Sequence, residues 1–148
     1  MSGLPDWRQA VADEPIETAS IEAMKSELAR LRQALDQELP SKRQIGRNLL
    51  IATWNLRAFG GLTDSWRSER NDSPKRNWRG LTYIAEIMSR FDVIAVQEVK
   101  GDFRALRHLM KALGPSWRFL MTDVNRGSVG NGERMAFVFD TARVHLSF

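Results

Sequence analysis

The chain contains no cysteine, which removes disulfides, thiolate nucleophiles and zinc–thiolate sites together. No stretch of its 148 residues approaches the apolar length of a membrane span. The opening MSGLPDWRQAVADEP lacks the positive start and continuous apolar run of a secretory signal. These absences lead to the expectation of a soluble, cytoplasmic protein with no membrane partner. Only two histidines are present. His108 sits beside Leu109 in a helical pattern, and His145 sits in an apolar run, settings that suit packing better than ligation.

Positive charge, by contrast, is in modest excess and unevenly placed. Lys and Arg number 22 against 18 Asp and Glu. Residues 1–47 carry seven basic and eight acidic side chains, net −1, while residues 48–148 carry fifteen and ten, net +5. Most of that positive charge is arginine, whose planar fork suits phosphate, although a small basic excess is also ordinary on soluble surfaces. The length accommodates one ordinary domain with its own core.

The order of patterns divides the chain into four parts. Residues 1–15, with two prolines, read as a loose leader. Residues 16–39 place Ile21, Met24, Leu28, Leu31 and Leu35 three and four apart with charges between, which predicts one amphipathic helix. That helix either packs on its own domain or on a second copy, or serves a dedicated partner. Residues 40–47 read as a basic linker, and 48–148 as the main domain.

Within the domain, NLLIATWN (48–55) and FDVIAVQEVK (91–100) are short apolar runs that close on Asn55 and Glu98, with a helix predicted over 77–89 between them. Two buried strands joined by a helical crossover run parallel and finish on one rim of the sheet, so Asn55 and Glu98 are expected together. That rim is where open α/β sheets bind ligands. A second helix is expected over 102–113, capped by Asp102 and closed by Gly114–Pro115. Residues 117–123 and 133–140 read as an antiparallel hairpin, and 143–148 as a fifth strand. If the third strand runs parallel to the first two, Glu133 and Arg134 begin the returning strand at the same rim.

Between the first strand and its helix, residues 57–78 form a long loop holding Trp66, Arg67, Arg70, Lys75, Arg76 and Trp78, followed by Arg79. Loops of that length are either functional or disordered. The mixture could stack on bases and hold phosphates, or the tryptophans could pin the loop to the core. Both IATWN and VIAVQE are apolar on successive residues, hence on both sheet faces, whereas the predicted helices cover one. A second sheet or another chain is expected on the other face.

Taken in order, WNL (54–56), VQE (96–98) and ERMAFVFD (133–140) resemble the first half of the endonuclease/exonuclease/phosphatase superfamily, which includes the pancreatic-type deoxyribonucleases. The resemblance implies an α/β fold, the N-terminal half of a four-layer α/β sandwich with a mixed sheet and flanking helices, preceded here by the amphipathic helix. It also implies divalent-metal-dependent hydrolysis of phosphate esters. On that resemblance Glu98 is a ligand for Mg²⁺ or Mn²⁺, Asn55 holds the metal-bound or scissile phosphate, and Glu133 orients a catalytic histidine. Arg134 and Arg57 are expected to bind substrate.

The chemistry supports such a set independently. Mg²⁺ takes oxygen ligands, keeps several waters, and is often held by only one or two carboxylates plus substrate phosphate. An amide can hydrogen-bond a phosphate oxygen without the repulsion of a second carboxylate. The family's later acidic residues and its late general-base histidine have no counterpart up to Phe148, so the chain is expected to be inactive alone. The expected function is a nuclease acting on DNA or RNA. The alternatives are a phospholipid or inositol-phosphate phosphoesterase, and a non-catalytic module that self-associates through helix 16–39 or the uncovered sheet.

Overall fold

The computed structural model describes residues 18–41, 46–62, 70–71, 74, 76–122 and 132–147. The leader 1–15, Trp66, Arg67 and Lys75, half of the linker and most of the glycine-rich turn 125–132 lie outside them. The elements are α1 (Thr18–Glu38), β1 (Ile51–Phe59), α2 (Trp78–Met88), β2 (Val93–Val99), α3 (Arg104–Leu113), β3 (Trp117–Met121) and β4 (Arg134–Asp140). They make a mixed α/β fold with one four-stranded sheet in the order β1-β2-β4-β3. β1 and β2 are parallel, and β4 runs antiparallel to both β2 and β3.

Helices form where apolar spacing and capping coincide. Asn77 Oδ1 accepts the Gly80 N–H at 2.9 Å and starts α2, after which Leu81, Ala85 and Met88 fall on one buried stripe. In α3 the cap position is Phe103, with no side-chain bond. Asp102, expected there, sits one residue earlier and accepts the Arg104 N–H at 2.9 Å. These stripes, with Ala105, Leu106 and Leu109 from α3, pack on Ile94, Val96, Ala136 and Val138 of the sheet.

α1 lies against α2. Met24 and Leu28 are buried, and around them Glu86 accepts from Arg32 Nε at 2.9 Å and Arg90 Nη2 at 3.0 Å. Arg79 and Tyr83 meet Glu27, and Arg90 meets Asp36. Glu86 is itself buried, so Glu86→Ala should remove this acceptor from Arg32 and leave Arg90 with Asp36, at a cost of about 1–3 kcal/mol. Hydrogen exchange should show the loss confined to α1, with sheet amides unchanged.

Directly paired residues share a sheet face and successive ones alternate. The registers Leu120↔Phe137, Phe137↔Ala95 and Ala95↔Thr53 therefore place these four on the face away from the helices, with Ile51, Val93 and Phe139 beside them. On that face Ile51, Leu120 and Phe137 remain 64, 46 and 39% exposed. Among the described residues, then, the helices cover one face of the sheet and leave an apolar opposite face.

Two expectations need correction. Residues 141–147 are turn and irregular chain, not a fifth strand, because Arg143 turns inward to bond Asp92. The first strand is also displaced. It begins at Ile51 and continues to Phe59, so Asn55 and Arg57 lie inside β1, and the long loop starts after Phe59.

Candidate functional site

β1 and β2 pair regularly from Ile51↔Val93 to Asn55↔Gln97, then resume at Phe59↔Val99, so Leu56, Arg57 and Ala58 stand opposite Glu98 alone. This is a bulge, a device that re-aims side chains at a sheet rim. On the other side of β2 the register with β4 shifts between Val96 and Val99 as well. Ala58 and Glu98 take positive φ values of 49° and 60°, a region that side-chain-bearing residues rarely occupy and that concentrates at functional positions.

The strained backbone brings two groups onto one carboxylate. Asn55 Nδ2 donates to Glu98 Oε1 at 2.6 Å, and the Ala58 N–H donates to Glu98 Oε2 at 3.0 Å. Beyond the bulge the two segments stay in close contact. Lys100 N donates to the Phe59 carbonyl at 2.8 Å and Ala105 N to the Gly60 carbonyl at 2.9 Å. A Cβ on Gly60 would lie 2.9 Å from the Lys100 Cβ, so that approach requires glycine.

Hydrogen bonding governs the charge at this site. The Asn55 amide foremost, then the Ala58 N–H, hold the Glu98 carboxyl below its ordinary value; partial desolvation opposes them, and Lys100 and Arg57 assist. An acid whose folded pKa is depressed keeps its anionic contacts above the unfolded value and loses them as pH falls through the folded one. The Asn55–Glu98 link should therefore persist at neutral pH and open only below the usual glutamate range. Carboxyl carbon shifts of Glu98, followed together with the Asn55 amide protons, should titrate in that low window.

The remaining expected residues gather on the same side. Glu133 Oε1 meets Lys100 Nζ at 2.5 Å, and Arg134, registered with Val99, lies over the Phe103 ring at 5.6 Å. Arg57 is exposed on β1. His108 stacks edge-on against Trp78 with ring centroids 4.2 Å apart; burial, then Lys111 and Arg104, lower its pKa. Trp78 thus follows the core-pinning reading of the loop, and Arg79 is engaged with Glu27. Arg70 is exposed.

Arg76, expected only as a loop cation, is buried and reaches the carbonyls of the β1 bulge. Asp92 was not singled out either. Yet an acid inside the run FDVIAV is itself a signal, because a buried carboxylate needs partners.

The described residues contain no group of three or more His, Asp or Glu side chains that could hold a metal ion. What Glu98 and Asn55 offer is a carboxylate held anionic and an amide oxygen. Both are hard oxygen donors that fit Mg²⁺ or Mn²⁺ as part of a coordination shell. No protein-family model matches the chain, and no curated protein matches it significantly. The resemblance therefore rests on the three short motifs alone.

Proposed function

We propose that the chain carries part of the active site of a divalent-metal-dependent phosphoester hydrolase, a nuclease acting on DNA or RNA. The observation that supports this reading most strongly is the Asn55–Glu98 contact, formed by two parallel strands and held at a strained bulge. Glu98 is the carboxylate that would hold Mg²⁺ or Mn²⁺. Such an ion supplies stabilisation of charge on the phosphoryl and leaving oxygens. Asn55 fixes the carboxylate with one amide hydrogen and keeps its second for a phosphate oxygen. Arg57 and Arg134 add positive charge for the phosphate backbone, while Lys100 holds Glu133 in reserve for a histidine or a water.

In this reading the bare apolar face of the sheet is the surface on which the second sheet of a four-layer sandwich would pack. The same exposed face favours the second reading, a non-catalytic module that meets a partner through it. Further ligands and a general base come from groups outside the described residues, so binding is a firmer readout than turnover. A fluorescent oligonucleotide is expected to bind more tightly when Mg²⁺ is added and to be displaced by EDTA, with inositol phosphate a poor competitor. Inositol phosphate competing more strongly than the oligonucleotide would shift the substrate to the lipid-derived class. Metal-independent binding, or none, would leave the interaction module standing.

A further inference from the structure

We propose that Arg76 is a positioning residue, a buried clamp holding the β1 bulge in the form that brings Asn55 and the Ala58 N–H onto Glu98. The bulge takes Leu56, Arg57 and Ala58 out of register with β2. Carbonyl groups withdrawn from a sheet need other donors. Arg76 supplies them: Nη1 donates to the Ala58 carbonyl at 3.0 Å, and Nη2 to the Arg57 carbonyl at 2.9 Å and the Leu56 carbonyl at 3.4 Å. One guanidinium thus spans three consecutive carbonyls.

Its own placement is fixed from the other side. Arg76 is only 8% exposed, its guanidinium stands 5.1 Å from the Phe59 ring centroid, and it immediately precedes Asn77, the cap of α2. The start of α2 is thereby tied to the C-terminal end of β1. Arginine suits the task because its donors form a rigid planar fork spread over two terminal nitrogens, whereas the three donors of lysine radiate from one nitrogen on a flexible stem. The cations that act directly on the Glu98 charge are Lys100 and Arg57. Arg76 instead reaches Glu98 through the peptide it holds: its Ala58 carbonyl bond fixes the residue whose N–H meets the carboxylate.

The functional consequence rests on Glu98 being the metal ligand proposed above, but the clamp can be tested without metal. In the full chain, Arg76→Met keeps an apolar stem and removes the fork. The Ala58 amide and the Asn55 side-chain amide are expected to exchange with solvent about tenfold faster, while the Val96 and Val138 amides keep their protection. Arg76→Lys should give an intermediate acceleration at the same two positions. Unchanged exchange at Ala58 in a folded variant overturns the proposal. So does an equal loss at Val96 and Val138, which would make Arg76 a general stabilising contact. Should the Met variant fail to fold, the Lys variant decides by the same two comparisons. Mn²⁺ affinity of the same variants is then expected to fall about tenfold; absence of Mn²⁺ binding in the unmodified chain would count against the hydrolase reading alone.

Discussion

Replacing Glu98 with alanine is expected to abolish divalent-cation binding at the β1–β2 rim, and with it the Mg²⁺-dependent gain in oligonucleotide affinity. Among the described residues, the Glu98 carboxylate is the anionic group that the bulge holds between Asn55 and Ala58. Its loss leaves an amide that can orient phosphate but cannot neutralise an ion. Glu98→Gln separates charge from shape: it keeps the side-chain length and one acceptor for Asn55 or Ala58, and should still fail to bind the ion. Because Glu98 sits at φ 60°, Glu98→Gly should be more stable than Glu98→Ala while equally unable to bind the ion. That ordering, read by chemical denaturation beside the metal titration, would show a backbone held in an unfavourable conformation for the sake of the site. Ion binding retained in the glutamine variant would remove Glu98 from the metal shell.

The largest stability effect should come from a residue with no role in the chemistry. Asp92 is 0% exposed, and its carboxylate accepts the Leu50 N–H at 2.7 Å and Arg143 Nε at 2.9 Å. Arg143 Nη2 in turn donates to the Asn48 carbonyl at 2.8 Å, and the Asp92 backbone bonds both Leu50 and Asp140. One buried acid therefore joins the approach to β1, the start of β2 and the chain after β4. Asp92→Ala leaves the Arg143 guanidinium without this partner and should cost about 3–5 kcal/mol. Against a total of roughly 5–15 kcal/mol for a domain, that is about a fifth of the stability or more. Urea unfolding should show the midpoint falling with little change in slope. Arg143→Ala should cost a similar amount, and the double variant less than the sum, since each single change strands a buried charge. Additive costs would show that the two residues are not coupled.

These two residues also mark how far the sequence could be read. The parallel pairing of IATWN with VIAVQ followed from two apolar runs separated by one helix. The hairpin of residues 117–121 with 134–140 followed from alternation across a glycine-rich turn. Periodicity carries such features because burial enforces it over several residues. The bulge was not legible. It depends on two residues at positive φ, Ala58 and Glu98, neither a glycine or asparagine that would advertise the conformation. Consequently the strand was expected to stop at Asn55 when it continues to Phe59.

The reading of Arg76 as a loop cation that could hold phosphate missed its structural role for a related reason. Its partners are main-chain carbonyls exposed by that same bulge, and no side-chain pattern encodes them. The reading of 143–148 as a strand failed because RVHLSF has the alternation of one, whereas the Arg143–Asp92 contact, at a separation of 51 residues, draws the chain elsewhere. That Asn55 and Glu98 meet was legible because two apolar runs joined by a helical crossover lie parallel and bring their polar residues to one rim. What they do together at 2.6 Å depends on a backbone irregularity that only the fold reveals.

The most direct test of the account is to titrate the unmodified chain with Mn²⁺ to roughly millimolar concentration, a range set by a site with few carboxylates, while recording paramagnetic broadening residue by residue. The account predicts broadening centred on Asn55, Ala58 and Glu98 that disappears in Glu98→Gln. Broadening centred on other carboxylates, such as Asp36 or Glu22 of α1, with the Asn55 and Ala58 signals left sharp, would contradict it.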